Sequence, residues 1–179
     1  MPTDGVRGPG TSAAIMRVFF GFFLVSGYCS LVYEVVWLRL AMAQFGVTTP
    51  TVSIVLSVFM AGLALGSWAA GLLARRMSDQ PPARLLRVYA AAELSIAVSG
   101  VTVPAALAYG RTLLGTGGGG ADWGSNAYYL VSGAWITLAL LPFCSCMGAT
   151  FPLAIGTIRR LAPSESSLSF SYLYVANVL

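Results

Sequence analysis

Apolar residues run along this chain in five long stretches, which short polar or glycine-rich segments separate. A membrane-spanning helix needs about 20 consecutive, mostly apolar residues, and the first four stretches reach that length. The pattern therefore predicts an all-α, polytopic helical membrane protein with four full transmembrane helices and a truncated fifth. The predicted spans are residues 17–40, 51–74, 85–109, 127–157 and 168–179.

The segments outside these spans complete the predicted organisation. Residues 1–14 are rich in Gly, Pro, Ser and Thr, which is typical of a disordered tail, so the membrane domain is predicted to cover residues 15–179. The fourth span is long, and Pro142 and Pro152 within it predict a kinked or broken helix. Residues 168–179 would rise only about 18 Å as a helix, which predicts that the chain is cut inside its fifth span.

Composition supports a membrane protein and narrows its chemistry. The chain of 179 residues is 57% hydrophobic and 9% charged, whereas soluble domains carry about 25% charged residues. Histidine, the commonest catalytic base and metal ligand, is absent. Cys144 and Cys146 are two positions apart in an apolar stretch and point to different helix faces, which makes them a poor metal pair. The sequence therefore predicts no catalytic residue, metal site or cofactor in this chain.

The arginines predict the orientation of the spans. If the spans alternate, eight arginines fall on one side of the membrane and only Arg39 and Arg111 fall on the other. Basic residues collect on the cytoplasmic side, so the amino terminus is predicted to be cytoplasmic, in the inner (plasma) membrane of a bacterium. The net charge of +4 follows from this topology and does not indicate nucleic-acid binding. The topology markers are Arg75, Arg76, Arg159 and Arg160.

The first span carries a polar stripe on an otherwise apolar helix. At helical spacing these residues share one face, which we expect to turn towards the bundle interior. Phe22 and Leu31 lie away from it. The stripe comprises Ser26, Gly27, Ser30, Tyr33, Glu34 and Trp37.

Glu34 is the unusual member of this stripe, because an acid is expensive inside a membrane. It follows Arg17 by about 25 Å of helix, which places it near the far interface. Two interpretations are open: an intramembrane proton or cation site, or a polar group that holds helices together. In either case Ser30 and Tyr33 could donate hydrogen bonds to it.

Glu93 is the second acid in a predicted span. It lies about 9 Å in from Arg87, at a different level from Glu34, so the sequence does not predict a carboxylate pair. Glu34, Tyr33 and Glu93 are the candidate substrate or ion residues.

Small residues recur every four positions in the second span. Gly62, Gly66 and Ala70 would form a face that lets another helix approach closely. We predict a packing role for them.

Several segments together resemble a known family. SGYCSLVYEVVWLRL, FMAGLALGSWAAGLLARR, YAAAELSIAVSG, MGATFPLAIG and SYLYVANVL resemble the amino-terminal membrane region of membrane-fused spermidine synthase-like proteins. The glycine motif followed by arginines is also similar to the cytoplasmic turn after the second helix of major facilitator transporters. The resemblance implies a transporter-like half bundle.

The resemblance also implies partners. In that family, a soluble Rossmann-type aminopropyltransferase domain carries the catalytic groups, and nothing in this chain matches it. Three hypotheses remain. The chain is the membrane module that anchors or serves such a domain; it is part of a transporter for polyamines or other cations; or it is a small membrane scaffold.

Overall fold

The structure is a computed structural model that describes residues 9–78, 80–116 and 125–161, with side chains for 21–78, 80–115 and 125–160. These ranges contain no strand and form four long helices. They are α1 (Pro9–Phe45), α2 (Thr49–Arg76), α3 (Pro82–Thr116) and α4 (Asn126–Leu161).

All four helices are long and apolar enough to cross a membrane, which indicates an integral membrane protein and confirms the predicted all-α fold class. Large apolar side chains cover the outside of the bundle, as expected where lipid replaces water. Phe22, Val101 and Leu130 are 70%, 77% and 75% exposed. The predicted fifth span lies outside the described residues.

The helices extend beyond the predicted spans. α1 begins at Pro9, so residues 9–14 are helical although the sequence predicted a disordered tail. Proline is favoured in the first helical turn, and an established helix extends at little cost. α3 likewise continues to Thr116 through residues predicted to form a loop.

α4 is a single continuous helix, so the break that the sequence allowed does not occur, and the kink stays a prediction. Pro142 and Pro152 lie inside it without ending it. Proline removes one backbone hydrogen bond, and membrane helices tolerate that loss where neighbouring helices pack around the site. Buried residues of α4 on both sides of Pro142, namely Leu140 and Cys144, are fully enclosed.

A tight turn joins α1 to α2. Gly46 has a φ of 102°, a conformation that glycine adopts without steric cost. Thr48 then caps α2: its hydroxyl oxygen accepts a hydrogen bond from the Thr51 amide at 3.4 Å. The two helices therefore run in opposite directions.

Contacts between the other helices show the same alternation. Ser26 meets Glu93, and Tyr33 lies against Gly100, so α1 and α3 run parallel. The Trp135 indole N–H donates to the Ala106 carbonyl at 2.9 Å, whereas Gly156 near the end of α4 lies against the start of α3, so α3 and α4 run antiparallel.

α4 is the central helix, and its largest interface is with α2. Their backbones approach closely at glycines: a methyl group on Gly66 would overlap the Ser145 carbonyl oxygen, and one on Gly148 would overlap the Leu63 carbonyl oxygen. This is the packing that small residues allow between membrane helices.

Arginines gather at one end of the bundle. Arg160 donates to the Ala74 carbonyl at the end of α2 at 3.0 Å, which satisfies a carbonyl that the helix itself leaves free. Five further arginines belong to the same end because α2 and α4 finish there and α3 begins there. They are Arg75, Arg76, Arg84, Arg87 and Arg159. That this end is cytoplasmic stays a prediction.

Candidate functional site

α1 packs loosely against the rest of the bundle. Only 11% of its span is buried, compared with 28%, 28% and 33% for the other three. A cavity of about 750 Å³ separates it from α2 and α4. We call this cavity the α1 cleft; it is lined by residues that include Gly27, Glu34, Met60, Leu63, Met147 and Phe151.

Glu34 lies near the middle of the helix bundle, and its predicted place near the far membrane interface stays a prediction. Its neighbours in the cleft, Met60 and Leu63, come from the centre of α2. α1 continues past Glu34 to Phe45, about 16 Å further at 1.5 Å per residue.

The Glu34 carboxyl group makes no hydrogen bond or ion pair with the residues that the structure describes. The expected donors point elsewhere. The Ser30 hydroxyl donates to the Ser26 carbonyl of its own helix at 3.0 Å, a common arrangement for serine in helices. Tyr33 precedes Glu34, and consecutive helical side chains point about 100° apart.

Tyr33 belongs to the interface with α3. Its ring stacks on the Trp37 ring, with centroids 5.2 Å apart and planes 13° apart, and its hydroxyl lies against Gly100. Trp37 is 1% exposed, and its indole N–H has no acceptor among the described residues. Through Tyr33, this stacked aromatic pair packs α1 against α3.

Glu93 is held by a hydrogen bond between helices. The Ser26 hydroxyl donates to the Glu93 carboxylate, with its oxygen 2.9 Å from Oε1 and 2.8 Å from Oε2. Tyr89, one helical turn before Glu93, also interacts with this carboxylate. Among the described residues, Glu93 therefore has polar partners and Glu34 has none.

The polar stripe of α1 thus divides into two edges. Ser26 and Tyr33 face α3, whereas Gly27, Ser30 and Glu34 line the α1 cleft. Trp37 is buried in an apolar cluster to which all four helices contribute. Because Ser26 and Glu34 are eight residues apart, the two acids lie at heights about 12 Å apart. This agrees with the inference that they do not form a pair.

The small residues of α2 face α4. Gly62 lies against Cys144 and Gly66 against Ser145, and Ala70 is 4% exposed. Within the described ranges no three His, Cys, Asp or Glu side chains come together to hold a metal ion.

Sequence reasoning missed the α2 and α4 walls of the cleft. Phe59 and Met60 of α2 and Met147 and Thr150 of α4 line it. Nothing in the local sequence marks these residues, because their facing depends on how each helix is rotated about its axis.

Comparisons with protein-family models, with curated proteins and with solved structures found no match.

Proposed function

We propose that this chain is the membrane module of a spermidine synthase-like protein and that it binds a cationic amine in the α1 cleft, with Glu34 as the counter-ion. One observation carries the binding site: the partly buried Glu34 side chain, which has no hydrogen-bond or ion-pair partner among the described residues, lines a mostly apolar cavity. The motif set in α1 to α4 supports the family assignment, and the amine class follows from the charge of the site.

The position of Glu34 in an apolar helix makes its insertion into a membrane costly. An acid near the centre of a membrane helix costs roughly 2.5–3.5 kcal/mol on insertion scales. Intramembrane acids are generally paired or face a cavity, where they serve a ligand or ion. Glu34 faces a cavity of a volume typical for small organic ligands. An ammonium group placed there would supply the missing partner.

Two roles share this site. A module that serves an aminopropyltransferase domain would hold the amine and present it to that domain. A transporter would release the amine on the other side of the membrane. The helix order and alternation suit both roles, and the motif set favours the first.

Glu34→Gln tests the proposal, because it keeps the shape of the side chain and removes its charge. Truncating one partner of a desolvated charge pair costs about 2–5 kcal/mol of binding, and 1.4 kcal/mol is a factor of ten. We therefore expect amine affinity to fall at least tenfold. The measurement is equilibrium binding of a labelled amine series, from simple alkylamines to spermidine, to protein in phosphatidylcholine nanodiscs.

Glu93→Gln is the matched control. It makes the same change on α3, where the amide oxygen still accepts the Ser26 hydrogen bond, and it lies outside the α1 cleft. We expect wild-type affinity from it. Equal affinity in the wild type and in Glu34→Gln would overturn the proposed site.

A further inference from the structure

The α1 cleft is a site for one positive charge. Glu34 is the single carboxylate among the described residues that line it. Glu93 lies about 12 Å from Glu34 along the helix axis, towards the amino-terminal end of α1. It is on the α3 side of α1, and its carboxylate accepts a hydrogen bond from the Ser26 hydroxyl. A ligand with two or more ammonium groups would therefore have one paired group and at least one that is desolvated without a partner, which is strongly unfavourable.

The other polar side chains that line the cleft, Tyr28, Ser30, Ser67 and Thr150, carry neutral hydroxyl groups and do not replace a second acid. The Thr150 hydroxyl donates to the Met147 carbonyl at 2.7 Å, and Ser30 donates to its own helix in the same way. Their remaining lone pairs are weak, neutral acceptors. They can orient one ammonium group beside Glu34, but they cannot compensate a second charge.

The rest of the wall is aromatic and aliphatic, and it borders the lipid. Phe23, Phe59 and Phe151 line the cleft from three helices. Its α1 and α2 edges are exposed on the outside of the bundle: Leu31 is 59% exposed and Met60 is 56% exposed. In a membrane these edges meet lipid chains, so the cleft has an apolar wall that continues into hydrocarbon.

We infer that the α1 cleft takes an amphiphilic monoamine, whose ammonium head pairs with Glu34 and whose hydrocarbon tail lies along the α1 and α2 wall. This inference rests on the proposed amine site and narrows its ligand class: a single-headed, lipid-soluble amine fits the charge and the wall better than a polyamine does. In this respect the site departs from the polyamine ligands that the family resemblance implies. Such a ligand enters sideways from the bilayer, through the loosely packed side of α1.

Four probes test this ligand class on protein in phosphatidylcholine nanodiscs, with binding to empty nanodiscs subtracted. Decylamine has the head and the tail, butylamine has the head with a short tail, decanol has the tail alone, and spermidine has several charges. We expect decylamine to bind at least tenfold more tightly than each of the other three. Glu34→Gln should remove the advantage of decylamine over decanol.

A wall variant separates tail binding from head binding. Met60 is exposed on the cleft edge, so Met60→Ser is expected to fold, to weaken decylamine binding several-fold and to leave butylamine binding unchanged. If spermidine binds as tightly as decylamine in a Glu34-dependent way, the inference is overturned and the amine site stands. If no probe depends on Glu34, both the inference and the proposed function are overturned.

Discussion

Gly66→Ala is expected to lower the stability of the purified protein by about 1–3 kcal/mol, the usual cost of forcing an extra group into a packed interface. The added methyl group would overlap the carbonyl oxygen of Ser145 on α4. Backbone atoms cannot rotate away, so α2 and α4 must separate. For a chain of this size the loss corresponds to roughly 2–12 °C, measured by thermal unfolding in detergent micelles followed by circular dichroism.

Gly71→Ala is the matched control for the close contact between α2 and α4. Gly71 lies on the same helix, and no atom outside its own helix backbone stands within 4 Å of the place that its Cβ would take. Alanine has a better helix propensity than glycine, so we expect unchanged or slightly raised stability. Gly148→Ala should behave like Gly66→Ala, because its methyl group would meet the Leu63 carbonyl. Equal unfolding temperatures for Gly66→Ala and Gly71→Ala would contradict the close approach of α2 and α4 at Gly66.

Glu34→Leu is expected to raise the stability of the ligand-free protein while it abolishes amine binding. The carboxyl group gains no hydrogen bond from the described residues and lies in a mostly apolar cleft near the middle of the bundle. An acid at the centre of a membrane helix costs roughly 2.5–3.5 kcal/mol on insertion scales. Removing it should recover part of that cost, about 2 kcal/mol or roughly 4–8 °C. Thermal unfolding and amine binding, measured on the same preparation, test the two halves of this expectation.

Glu93→Leu makes the same change at an acid that has partners. The substitution removes the charged acceptor of the Ser26 hydroxyl, and hydrogen bonds between membrane helices contribute about 0.6 kcal/mol on average. We therefore expect no comparable gain in stability. A loss of stability in Glu34→Leu would show that Glu34 holds helices together, as the alternative interpretation of the sequence had it, and would count against a binding site.

The sequence predicts the parts of this fold that depend on length and periodicity. Four apolar stretches of sufficient length identify the four helices, and the spacing of Gly62 and Gly66 identifies the face that meets α4. The helix bounds are predicted less accurately. α1 begins at Pro9 and α3 ends at Thr116, both beyond the predicted spans, because polar and glycine residues continue a helix that is already formed.

The sequence identifies only part of the candidate site. An acid inside an apolar helix marks Glu34, but its height depends on where α1 ends, and that end at Phe45 lies past Arg39 and the predicted span. The partners of each polar residue depend on helix rotation, which a single sequence does not specify. For that reason Ser26 was assigned to the same stripe as Glu34, whereas it donates to Glu93 on α3.

Carboxyl labelling tests the claimed amine site most directly. Dicyclohexylcarbodiimide is an apolar reagent that forms a stable N-acylurea with carboxyl groups in membranes, and peptide mass mapping locates the adduct. The protecting ligand is N,N-dimethyldecylamine, a tertiary amine that cannot be coupled to the activated carboxyl group. We predict that Glu34 is labelled in ligand-free protein, that saturating N,N-dimethyldecylamine protects it, and that Glu93, which accepts a hydrogen bond from Ser26, reacts less and is not protected. If Glu34 is labelled equally fast with and without the amine, the result contradicts the proposed amine site at Glu34.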